Sequence, residues 1–133
     1  MIITLDMRSR IPIYEQLITS VREQAVRGIL APDEQLPSVR QLASELAINP
    51  NTIQKAYTEL ERQGVLYSLP GRGNFVSADI AAVAEQERNA RRAALREQLL
   101  AARSAGISRA EITELADAVY RENTEKEGES SRS

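Results

Sequence analysis

A mainly α-helical chain carrying one small β-hairpin is the fold class this sequence predicts, and three observations predict it. A helix can be delimited from sequence alone between Ile48 and Gly64. A shorter helical pattern, Ser38 to Leu46, closely precedes it. Two β-prone runs on either side of Pro70-Gly71-Arg72-Gly73 directly follow it. Two short helices joined so tightly cannot lie antiparallel over their full length, so they take the steep crossing of a helix-turn-helix. A hairpin straight after makes the unit a winged helix-turn-helix over residues 1–77. A two-helix segment over 78–124 and a charged, Ser-rich tail over 125–133, expected to be disordered, complete the organisation.

Each element has its own signature. Ile2 to Leu5 is short and β-prone, and reads as a small strand. Pro12 suits the first position of a helix, where its missing N–H costs nothing. Tyr14, Leu17, Ile18, Val21 and Ala25 then keep helical spacing until Gly28. The stretch Ile29 to Pro37 holds two prolines and Asp33 and reads as a turn-rich connection. Ser38 and Gln41 form a capping box, with Val39, Leu42, Ala43 and Leu46 as the apolar face behind it.

The central helix is the best specified. Asn49 is a good N-cap and Pro50 a good first residue. Ile48 and Ile53 occupy the positions of a hydrophobic staple. Ile53, Ala56, Tyr57 and Leu60 make one apolar stripe, and Gly64 closes the helix. Val65 to Leu69 and Asn74 to Ser77 are the hairpin strands, with Arg72 at the tip. Beyond Ser77, Ala, Glu, Arg and Gln dominate up to Arg103, and Leu95, Leu99, Leu100 and Ala102 firm up an apolar stripe. After Gly106, Ser108 and Glu111 form another capping box; Ile112, Leu115, Ala116, Val119 and Tyr120 form another stripe. Two helices alone bury both stripes poorly, so a twofold partner packed through them is expected.

Composition bounds the chemistry. The 133 residues include no His and no Cys, which removes the commonest general base and the thiol nucleophile and argues against an enzyme. Neither a metal nor an organic cofactor is expected. No basic stretch precedes an apolar run at the amino end, and no run approaches the ~20 apolar residues of a membrane span; with the absence of Cys, this fits a cytoplasmic protein. Net charge is −2, but unevenly spread: residues 1–77 hold eight basic and eight acidic side chains, and the rest hold nine and eleven. The acidic excess thus lies outside the winged helix, where local positive patches remain possible.

The polar face of the central helix carries Asn51, Thr52, Gln54, Lys55, Thr58 and Arg62, with amides and hydroxyls crowded at its N-terminal end. That chemistry suits base reading: Asn and Gln pair two-pronged with adenine, Thr bonds or touches a thymine methyl, and Lys takes guanine or phosphate. Arg40, a cation in a helix's first turn, suits phosphate nearby, against the plainer reading of an ion pair with Glu34 or Glu45. Tyr57 reads equally as core or as a phosphate donor at the rim. Arg88, Arg91, Arg92 and Arg96, interleaved with Glu85, Glu87 and Glu97, read as a solvated face with pairs along the helix.

Leu36-Pro37-Ser38-Val39-Arg40, Leu42-Ala43, Asn49-Pro50-Asn51-Thr52-Ile53, Ala56-Tyr57, Leu60, Gly64 and Gly71-x-Gly73-x-Phe75-Val76 together resemble the GntR family of bacterial transcription regulators. The Asn-Pro-Asn-Thr segment and short helical tail resemble its YtrA-like branch. The resemblance implies a homodimeric repressor, joined through the C-terminal helices, that binds a palindromic operator in double-stranded DNA near its own gene, in this branch often beside transporter genes. It places Ser38 and Arg40 at the start of the second helix toward DNA. Asn49, Asn51, Thr52 and Gln54 fall at the groove-facing end of the third, with Lys55 added by helix geometry, and Gly71, Arg72 and Gly73 at a wing tip approaching the minor groove. Asp33 stands where the family usually has Gly, and Asp tolerates the left-handed conformation such a turn needs. The tail is too short for the large effector domain of most relatives, so no effector is inferred. The competing reading is a winged helix that binds protein rather than DNA.

Overall fold

The computed structural model describes the backbone of residues 1–132 and the side chains through Glu122. Five helices and one antiparallel hairpin follow in order: α1 (Ile13–Val26), α2 (Val39–Leu46), α3 (Pro50–Arg62), β1 (Leu66–Leu69), β2 (Gly73–Val76), α4 (Ile80–Ser104) and α5 (Arg109–Arg132). The chain divides into two compact units, Met1–Arg88 and Asn89–Ser133. The boundary falls inside α4, because Ile80 is buried and Val83 packs against the first unit's core.

In the first unit α3 is the hub, packing on α1, α2 and β1. Its stripe is fully used: Ile53 and Leu60 are both 0% exposed, and Ala56 and Tyr57 are buried beside them. Leu17, Val21, Leu30, Val65 and Val76 close the core, which is aliphatic apart from Tyr57. Burying side chains of this size contributes about 1.5–3 kcal/mol each against the cost of chain ordering. The Asn49 side chain accepts from the Asn51 N–H at 2.9 Å, and the Ser38 hydroxyl accepts from the Gln41 N–H at 3.1 Å, so both expected caps form. Between α2 and α3 the chain turns through Ala47 in the left-handed region, φ 55°.

Three local expectations are corrected. Pro12 is the N-cap of α1, not its first helical residue; its ψ of 146° is extended. Ile2 to Leu5 forms no strand. Instead the buried Gln24 side chain takes the place of a pairing strand: it accepts from the Ile2 N–H at 3.1 Å and donates to the Ile2 carbonyl at 2.7 Å. The connection before α2 is more than a turn. The Asp33 N–H bonds the Val76 carbonyl, the Val76 N–H the Glu34 carbonyl and the Leu36 N–H the Asn74 carbonyl, so this segment lies antiparallel along β2 with a bridge at Gln35 and Phe75. Asp33 itself has φ 64° and keeps the turn that Gly would otherwise make.

In the second unit the Ser108 cap of α5 forms, accepting from the Glu111 N–H at 3.2 Å. Leu100, Ala102, Ile112 and Ala118 are half-buried. Leu95, Leu99, Leu115, Val119 and Tyr120 are exposed. The expected disordered tail falls on residues whose side chains lie outside those described, while the backbone of α5 continues as helix to Arg132.

Candidate nucleic-acid interface

Capping and stapling fix where α3 begins, and that start decides which side chains point away from the core. With Ile53, Ala56, Tyr57 and Leu60 buried, Asn51, Gln54, Lys55 and Thr58 are exposed and Thr52 is half-buried. The amide-rich face is therefore open along the first two turns. Asn49 is exposed, but its side-chain oxygen is committed to the cap, leaving only its amide N–H groups for a ligand. Gln54 donates to the Thr58 hydroxyl at 3.3 Å, a contact at the long end of the range that a base edge can displace.

Arg40 is exposed in the first turn of α2 and makes no ion pair among the described residues. Glu45 is met by Gln41 at 3.4 Å instead, and Glu34 turns back to the Ala31 N–H at 3.2 Å. The Ser38 hydroxyl accepts at the cap and keeps its own hydrogen for an outside acceptor. Ser38 and Arg40 are tied to α3 by Tyr57, which is 2% exposed and donates its hydroxyl to the Pro37 carbonyl at 2.8 Å. That resolves the two readings of Tyr57 in favour of the core. Burial, reinforced by the charge of Glu45, raises its pKa well above the ordinary tyrosine value.

The wing tip is a tight turn in which the Arg72 N–H bonds the Leu69 carbonyl at 2.9 Å. Pro70 and Gly71 occupy its middle, and φ of 75° at Gly71 is the positive value a type II turn needs at that position. Gln35 donates to the Arg72 carbonyl at 2.7 Å, a contact that sequence reading missed. Gly73 has φ 114°, and a Cβ there would stand 3.1 Å from the Gln35 amide nitrogen. The Arg72 side chain is exposed at the end of this braced loop. Behind it Tyr67 stacks on Phe75, centroids 5.4 Å apart, and donates its hydroxyl to Asp33 at 2.7 Å.

The predicted set thus divides in two. Arg40, Asn51, Thr52, Gln54, Lys55 and Arg72 offer side-chain donors or acceptors to an outside ligand, while Asn49, Gly71 and Gly73 shape the backbone and Ser38 does both. The arginines of α4 differ from expectation in one respect: Glu87 reaches back to Arg22 of α1 at 3.7 Å, while Glu85 pairs with Arg88 at 4.0 Å. No cluster of metal-ligating side chains occurs among the described residues. No described helix is long and apolar enough to cross a membrane.

Residues 13–76 match the model of the bacterial regulatory proteins of the gntR family. The chain is 51% identical over 75 residues to the HTH-type transcriptional repressor YtrA of Bacillus subtilis, a match covering 56% of this chain and 58% of that protein. It is 34% identical over 109 residues to the uncharacterized HTH-type transcriptional regulator YhcF of the same organism, covering 82% of this chain and 90% of the relative. Among solved structures, a transcriptional regulator from Oenococcus oeni superposes with a TM-score of 0.67 at 31% identity, covering 88% of this chain and 98% of the other.

Proposed function

The chain belongs to the gntR family of bacterial regulatory proteins, and on that premise we propose that it is a homodimeric transcriptional repressor that binds a palindromic operator in duplex DNA. The observation that carries this reading is the first two turns of α3. Their amides and hydroxyls are presented outward while the stripe of Ile53, Ala56, Tyr57 and Leu60 is buried. A helix so displayed fits the major groove, with Asn51 and Gln54 reading base edges and Thr52 alongside. Arg40 and the Ser38 hydroxyl supply phosphate contacts next to it, and Arg72 on the braced wing reaches the adjacent groove.

Dimerisation is supported by the second unit, where five large apolar side chains of α4, the following turn and α5, from Leu95 to Val119, stand exposed. A twofold partner covering them would set two reading helices against successive half-sites, which is how protein symmetry meets operator symmetry.

The test is a gel shift with the DNA upstream of the chain's own gene, repeated across a salt series and against a scrambled duplex. Sequence-selective retardation that falls steeply with salt is the expected result. Equal binding of both duplexes, or none, removes the reading.

A further inference from the structure

The reading face continues into a second feature. Tyr14, in the first turn of α1, lines with Thr52, Gln54, Lys55, Thr58 and Glu59 of α3 a cleft of about 570 Å³. Its chemistry is one-sided. The Tyr14 hydroxyl has no hydrogen-bond partner among the described residues, whereas the hydroxyls of Tyr57 and Tyr67 are both bonded. Lys55 is likewise unpaired among the described residues, although Glu59 stands four residues on, where an ion pair along the helix would form.

Glu59 is engaged elsewhere. It accepts from both Arg62 and Gln63, and the Arg62 guanidinium, followed by Gln63, lowers its pKa to about 2. Thr58 accepts from Gln54, which leaves its own hydroxyl hydrogen to donate. The cleft is therefore lined by an ammonium and three hydroxyls, those of Tyr14, Thr52 and Thr58, while its one carboxylate is already paired with Arg62. A ligand that fits is an anion whose oxygens only accept.

Resting on the DNA-binding reading above, we propose that this cleft seats a backbone phosphodiester of the bound duplex, held by Tyr14, Thr58 and Lys55. Lys55 then positions the protein instead of reading a base, and α1 joins the interface. Phosphate contacts fix register and orientation without carrying sequence information. The seat, lying directly beside Gln54, would set how deeply α3 enters the groove.

The experiment uses the full chain, with fluorescence anisotropy on the upstream duplex and on a scrambled duplex of equal length. Tyr14→Phe, which keeps the ring, is expected to weaken both by about tenfold to a hundredfold, the loss of one hydrogen bond to a charged group, with the salt slope unchanged. Lys55→Gln is expected to weaken both and to reduce the slope of log affinity against log salt by about one. Asn51→Ala/Gln54→Ala serves as the contrast, losing discrimination between the duplexes.

If that contrast behaves as stated while Tyr14→Phe and Lys55→Gln bind like wild type, the phosphate seat is wrong and the DNA reading stands. Loss confined to the upstream duplex in Lys55→Gln would make Lys55 a base reader and overturn the seat. Saturable binding of inorganic phosphate to the DNA-free protein, followed by the Tyr14 ring resonances, would make the cleft a site for a free anion and overturn the duplex assignment. If wild type binds neither duplex, both proposals fall together.

Discussion

Ala47 holds a left-handed backbone that costs a residue with a Cβ roughly 1–2 kcal/mol. It is exposed, so little apolar contact is lost with its methyl group. Ala47→Gly is therefore expected to stabilise the protein by about 1 kcal/mol, since the relieved strain outweighs the added freedom of the unfolded chain. Thermal melting would show a midpoint raised by a few degrees. Asp33 is strained in the same way but has a compensating bond from Tyr67, so Asp33→Ala keeps the strain and loses the bond, and melts below both wild type and Asp33→Gly. On the reading face, Asn51→Ala and Gln54→Ala should each cost about 1–3 kcal/mol of discrimination at one base position, measured by binding to a library of single-substituted operators. Arg72→Ala should instead weaken all sequences alike.

Among the elements, the joint between α2 and α3 is the one on which the interface depends. Tyr57→Phe removes a buried polar tie there, leaves the Pro37 carbonyl short of a donor and should cost about 1–2 kcal/mol in a denaturant titration. Burial of the same hydroxyl sets a pH dependence. Burial raises the folded-state pKa of Tyr57 above the ordinary value near 10. Its contribution is complete below pH 10 and is lost as pH rises, because there the unfolded chain has released a proton that the folded chain still holds. Tyr57→Phe should therefore flatten the alkaline fall in stability.

What could be read in advance follows the same physics. The caps at Ser38, Asn49 and Ser108, the α3 stripe and the Pro70-Gly71 turn depend on neighbours a few residues away, and sequence displays them. The bridge at Gln35 joins residues far apart in the chain through backbone groups alone, so no side-chain pattern announced it. Ile2 to Leu5 looked like a strand because its side chains suit one, yet its partner is the Gln24 side chain. Tyr14 was assigned to the stripe of α1 by spacing. Only the packing of α1 on α3 shows that it lines a cleft with Lys55.

At the scale of the whole molecule, each unit meets its own limit. The first has a closed core, with no buried side-chain polar atom left unpartnered among the described residues. The second leaves Leu95 59% and Leu115 61% exposed, and each leucine covered by a partner is worth about 1.5–3 kcal/mol. A charge in that stripe should be costly, so Leu115→Glu is expected to shift sedimentation to the monomer. It should leave the far-ultraviolet spectrum of the winged helix intact and lower operator affinity sharply, as one half-site is lost. A Leu115→Glu protein that remains dimeric would place the contact elsewhere.

The chain has four tyrosines and no tryptophan, and they sit on different parts: Tyr14 at the cleft, Tyr57 in the core, Tyr67 stacked behind the wing and Tyr120 on the α5 stripe. Ring-labelled protein would therefore carry one resonance set for each event, with no indole signal overlying them. Seating on DNA, loosening of the interior, wing movement and pairing of subunits could then be timed independently in a single sample, without attaching a dye.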